Sequence, residues 1–203
     1  MTRKPKTAAE LLAELRQNPE FVAREQLREA QNRQREEASR LEQAELLKEL
    51  TDIGVRVKSV WDLVNTREKY LEAIPTLVRH LSLPYSAGVK EGIVRALTVD
   101  YAGSKALREL IRELGKQDDD SETSMKWVLG NAIATVAKSN DADTLVGLAT
   151  DPSHGKARDM IISSLPLVVQ DKIELEAVLR RLMRDEDVGE FARQAILKLN
   201  KKS

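Results

Sequence analysis

Four segments of this chain can be written one above another without a gap: VKEGIVRAL from Val89, MKWVLGNAI from Met125, ARDMIISSL from Ala157 and FARQAILKL from Phe191. Their starts lie 36, 32 and 34 residues apart. The first column reads Val89, Met125, Ala157, Phe191; the fifth Ile93, Leu129, Ile161, Ala195; the sixth Val94, Gly130, Ile162, Ile196; the ninth Leu97, Ile133, Leu165, Leu199. Offsets of 0, 4, 5 and 8 share one face of a helix. Ahead of each lies a second amphipathic segment: AIPTLVRHL, KALRELIREL, DTLVGLA and LEAVLRRLM. Each repeat is thus a helix–turn–helix of about 34 residues. Nothing so small buries both its helices alone, so neighbours must stack and share a core. The expected fold is all-α, a short α-solenoid of about four helical hairpins spanning residues 55–203.

Composition agrees with a helical chain. Glycine (9) and proline (6) are scarce among 203 residues, and no stretch alternates apolar and polar residues as a half-buried strand would. The absence of cysteine removes disulfides, thiolate nucleophiles and Cys-based metal sites. Thirty-three basic residues balance 33 acidic ones, which argues against a phosphate-binding footprint and makes nucleic acid an unexpected partner. The basic start, Met-Thr-Arg-Lys-Pro-Lys, is followed by no apolar secretory core, and no run reaches the roughly 18 apolar residues of a membrane span. A cytoplasmic protein without a membrane segment is the expectation.

Residues 1–54 read as a separate N-terminal helical segment. Thr7 can cap a short helix from Ala8 to about Gln17. Asn18-Pro19-Glu20 then supplies a cap, a first-turn proline and a first-turn acid for a long helix from Pro19 to about Thr51, closed by a left-handed cap near Gly54. Between Arg28 and Arg40 (REAQNRQREEASR) nothing apolar exceeds alanine, so this stretch has little to bury. Glu20/Arg24, Glu29/Arg33 and Glu36/Arg40 are i,i+4 pairs in the favourable order, each worth about 0.2–0.5 kcal/mol. Apolar a and d positions are not sustained over three heptads, which counts against a coiled coil. Downstream, Ser59 with Asp62 makes a near capping box at the head of SVWDLVNT, a two-turn helix, and another helix follows from about Lys69 to Leu81.

On its repeats, residues 68–200 resemble the HEAT-repeat family, whose second helices carry a comparable apolar-basic start and small-residue middle. Lys90, Lys126 and Arg158 supply the basic position here, with Ala192 in the last repeat. The stricter period and Trp/Gly/Tyr pattern of tetratricopeptide repeats are missing. SVWDLVNT, Tyr70, Ala73-Ile74-Pro75 and GIVRAL together look like a group of bacterial HEAT-repeat proteins without a settled role. The resemblance brings no catalytic residues. It implies that the second helices line a concave surface, where the third, fourth and seventh positions are left free by the core. These are Glu91, Gly92 and Arg95; Trp127, Val128 and Asn131; Asp159, Met160 and Ser163; and Arg193, Gln194 and Leu197. Arg95, Trp127, Asn131, Asp159, Ser163 and Gln194 are the candidate partner-contacting residues.

Catalytic and metal sites are not expected, nor is a cofactor. His80 falls in a repeat helix and His154 in the Asp151–Gly155 turn, far apart and outside any HExxH spacing. Asp118-Asp119-Asp120 with Glu122 precedes a helix that Ser121 can cap, where acids meet the positive end of the dipole, and it lacks an EF-hand's glycine and spacing. Gly155-Lys156 has neither the upstream glycine nor the following Ser/Thr of a phosphate loop. A capped, apolar docking helix accounts for Trp61 and Asp62.

The function expected is therefore a non-catalytic interaction module whose concave face binds a protein or peptide. Two other classes compete with it. Some HEAT-like proteins are DNA-alkylation glycosylases or lyases, although a glycosylase would want a basic groove with aromatics, and Phe, Trp and Tyr total 3% here. An immunity or regulatory protein that neutralises a partner is a special case of the module. A homo-oligomer joined through the Pro19–Thr51 helix is the other alternative.

Overall fold

The computed structural model describes Thr7 and residues 17–118 and 125–201. The short helix expected from Ala8 and the acidic run after Asp118 lie outside the described residues. Eleven α-helices and no strand are found among the described residues. The chain divides into two compact units, Met1–Glu42 and Gln43–Ser203.

The first unit contains α1 (Pro19–Glu42), which has no buried residue. Asn18 Oδ1 accepts the Glu20 N–H at 3.0 Å, so the expected cap forms. Glu29 and Arg33 meet at 3.9 Å in solvent, whereas Arg24 donates to the Glu20 carbonyl instead of its carboxylate.

The helix expected to continue to Thr51 stops at Glu42 and restarts as α2 (Ala44–Asp52). Gln43 leaves helical geometry (φ −92°, ψ 11°), and its buried side-chain Oε1 accepts the Val60 N–H at 2.9 Å. That bond satisfies a donor at the start of α3 (Val60–Asn65), which the helix itself leaves open. Leu46 and Leu50 of α2 are fully buried in the same core as the repeats. The second compact unit therefore begins upstream of the boundary expected between residues 54 and 55. The end of α2 is as the sequence predicts. Gly54 has φ 89°, Val55 N–H bonds to the Leu50 carbonyl and Gly54 N–H to the Thr51 carbonyl, a Schellman closure. The box at α3 also forms, with the Asp62 carboxylate accepting the Ser59 and Lys58 N–H groups.

Four hairpins follow: α4 (Ile74–Leu81) with α5 (Ala87–Ala96), α6 (Gly103–Leu114) with α7 (Met125–Val136), α8 (Ala142–Thr150) with α9 (Ala157–Val168), and α10 (Lys172–Leu182) with α11 (Gly189–Lys201). The helix expected from Lys69 begins only at Ile74, after a 3-10 turn at Leu71–Ala73. Pro75 fits there because its missing N–H is one that the first turn leaves free anyway. Each hairpin packs internally, and the second helices also pack in series: α3 on α5, α5 on α7, α7 on α9 and α9 on α11. Among first helices α2 packs on α4 and α4 on α6. α2 and α3 thus stand ahead of the four hairpins as a shortened pair.

The fifth and ninth columns of the repeat are buried in all four hairpins. Gly130, in the sixth column, lies against the first residue of α9. A Cβ there would lie 2.4 Å from the Ala157 carbonyl oxygen, which is backbone and cannot turn aside.

Candidate functional site

The basic column of the second helices points inward. Lys90 Nζ donates to Glu113 Oε1 at 2.8 Å, Lys126 Nζ to the Ser153 carbonyl at 3.2 Å, and Arg158 Nη2 to Asp185 Oδ2 at 2.5 Å. Every acceptor lies at or just after the end of the next hairpin's first helix. Arg158 is 1% exposed and also donates through Nε to the Ala149 carbonyl at 2.9 Å. Hydrogen bonding from Arg158 holds the Asp185 carboxyl below its ordinary range. These cations are clasps between hairpins. They are not surface for a partner.

The outward positions differ among the hairpins. In the first, Gly92 is buried under α3: a Cβ on it would come within 2.6 Å of Val60 Cγ1 and 3.1 Å of the Trp61 indole nitrogen. The surface expected there is therefore covered in part, and Arg95 is half-buried with its Nε 2.7 Å from Glu91. In the second, Trp127 is half-buried against the core and Asn131 is half-buried one turn on, while Val128 is buried. In the third, Asp159 is buried rather than exposed, and Ser163 donates its hydroxyl back to the Asp159 carbonyl at 2.8 Å. In the last, Arg193, Gln194 and Leu197 are exposed, with Gln194 Nε2 3.3 Å from the Glu190 carboxylate.

Asp159 lines a cleft of ≈ 260 Å³ together with Pro152, Gly155, Lys156 and Asp187. Burial pushes its carboxyl above the ordinary aspartate range, with Asp187 adding to the rise against the opposing fields of Lys156 and Arg158. The sequence singled out Asp159 but neither Lys156 nor Asp187 as its neighbours. Their signal was positional: the Asp185–Asp187 run follows the first helix of the last hairpin as the Pro152–His154 turn follows that of the third.

Two other features were not anticipated. His80 is buried, with Nε2 2.9 Å from a Glu49 carboxylate oxygen and Nδ1 2.7 Å from the Tyr85 hydroxyl. Arg79 bonds the same carboxylate. Burial, then Arg79, draws the His80 pKa below its ordinary value, and the cluster ties α2 to α4. A more apolar cleft of ≈ 460 Å³ opens between α4 and the start of α6, bounded by Leu71, Pro75, Val78, Tyr101 and Lys105.

No group of three or more His, Cys, Asp or Glu side chains among the described residues is placed to hold a metal ion. No helix among them is long and apolar enough to cross a membrane. No protein-family model matches this chain, and neither a curated protein nor a solved structure matches it.

Proposed function

We propose that this chain is a HEAT-like α-solenoid whose second-helix face binds a protein or peptide partner without catalysing a reaction on it. The observation that carries this reading is the series of second helices, each packed on the next. In the repeat register, Trp127 and Asn131, Asp159 and Ser163, and Arg193 and Leu197 hold equivalent positions, with Gln194 next to Arg193. Such a row mixes one large aromatic, amides, a hydroxyl and both charge signs, which suits protein recognition better than a phosphate backbone. Trp127 supports it further, because a half-buried indole can anchor a partner while its buried side keeps it rigid.

Partners recovered from the native host by affinity capture supply the test. Trp127→Ala should weaken capture of a bona fide partner by ~2 kcal/mol or more, about 30-fold. A Trp61→Phe background leaves Trp127 as the only fluorescent indole, and iodide should quench it in the free chain but not in the complex. An unquenched Trp127 whose removal collapses the melt would overturn the reading, since the residue would then be core. Salt-sensitive binding to duplex DNA would favour the glycosylase-type enzyme. Light scattering that gives a dimer lost on deleting α1 would favour the oligomer.

A further inference from the structure

Asp159 is 6% exposed, yet its carboxylate accepts no hydrogen bond and enters no ion pair among the described residues. The adjacent Arg158 is turned away to Ala149 and Asp185. Lys156, on the cleft wall, is not within ion-pair distance. Asp159 stands in the first turn of α9, where the helix dipole favours a carboxylate, but burial outweighs that help and leaves the group harder to ionise than a free aspartate. The Asp159 carboxylate thus has no protein partner among the described residues and meets solvent only through the cleft, which leaves it open to a cation brought from outside. The second acid on the wall, Asp187, repels anions from the same space. A bound Mg²⁺ or Ca²⁺ would need six or more oxygens, and two carboxylates are a poor start on that shell.

We infer that the Pro152–Gly155–Lys156–Asp159–Asp187 cleft receives an arginine side chain presented by the partner, its guanidinium completing the pair that Asp159 lacks. This rests on the reading of the second-helix face as a partner surface, and names the chemistry of one contact on it. Arginine suits the site because its planar fork can bond a carboxylate through two parallel N–H groups and is more weakly hydrated than an ammonium. Pairing also makes binding pH-dependent: the cation needs Asp159 ionised, so affinity falls as pH drops through the raised Asp159 pKa.

The test is an NMR titration of the full chain with Nα-acetyl-arginine amide, which presents the side chain as a peptide would. A single side chain should bind with Kd on the order of millimolar. Amides of Gly155–Asp159 and Asp185–Val188 should shift, and Nα-acetyl-citrulline amide, of similar shape but uncharged, should shift them at least about tenfold less. Asp159→Asn should abolish the shifts while leaving the chain folded and raising its Tm, because it removes the buried charge. Lys156→Met should tighten binding by removing the competing cation. Equal shifts from citrulline, no shifts at all, or unchanged binding in Asp159→Asn would overturn the inference. So would Ca²⁺ or Mg²⁺ moving the same amides at lower concentration, and so would free arginine binding far more tightly than the blocked form, which would mark a small-molecule site. Failure here leaves the Trp127 experiment standing; failure there with arginine binding intact would sink only the larger surface.

Discussion

Glu113 is 3% exposed, yet it keeps its charge because two lysines reach it, Lys90 at 2.8 Å and Lys116 at 2.9 Å. Burial alone would raise its pKa; the hydrogen bonds and fields of the two ammonium groups outweigh that and hold it below the ordinary glutamate range. Such a group stabilises the fold at any pH above its unfolded pKa, and the contribution is lost as pH falls through the depressed folded value. Glu113→Gln should therefore cost about 2–3 kcal/mol near pH 7, the size of a charged hydrogen bond lost in the interior. The difference should vanish at strongly acid pH, when wild type is protonated too. Urea titrations of both chains at several pH values check this; a gap independent of pH would mean that the charge contributes nothing. Asp159 has the opposite sign. Its raised folded pKa puts a penalty on the fold above that value, relieved as pH falls through it.

At the scale of the element, glycine in a helix means two different things here. Gly130 lies where α9 crosses α7, and the added methyl of Gly130→Ala would meet the Ala157 backbone at 2.4–2.9 Å. The helices would have to part, at a cost of about 1–3 kcal/mol or more. Gly147, inside α8, leaves open space for a methyl, with nothing within 4 Å, so Gly147→Ala should stabilise by about 0.5–1 kcal/mol through helix propensity alone. Thermal melts of the two variants should move in opposite directions, and a drop for both would mean that α8 is crowded as well. The columns at offsets 0, 4, 5 and 8 made the phase of the second helices readable, since burial on one face is what periodicity records. The break at Gln43 was not readable. The pattern of Leu41, Leu46, Leu47 and Leu50 runs through it, and the interruption is caused by a bond to Val60, distant in sequence. Gly92 was misplaced for a similar reason: only the presence of α3 against α5 turns an outward position into a buried one. The clasp acceptors Glu113 and Asp185 likewise look like ordinary surface acids until the next hairpin is in place.

On the scale of the whole second unit, α2 belongs to the fold as fully as any repeat helix. A chain of residues 43–203 should melt cooperatively, while one of residues 55–203 should lose Leu46 and Leu50 from the core along with the Glu49 bonds to His80 and Arg79. Losing two buried leucines is worth about 2–5 kcal/mol each, so the shorter chain should melt far lower or fail to fold. Equal melting temperatures for the two would return the boundary to Gly54.

The clasps made by Lys90, Lys126 and Arg158 give the array a polarity. Each cation belongs to one hairpin and finds its acceptor in the following one, so a hairpin is finished only by its successor. If the last hairpin opens, Arg158 is left with its charge buried and half its partners gone, which loosens α9; loosening α9 and its preceding turn then releases Lys126 in α7. Fraying should therefore travel from the C-terminal hairpins towards the N-terminal ones, as a zip opens from one end. Amide exchange would reveal it: Asp185→Asn should speed exchange in α9 first and α7 next, with α5 affected least, whereas uniform acceleration would mean that the hairpins open together.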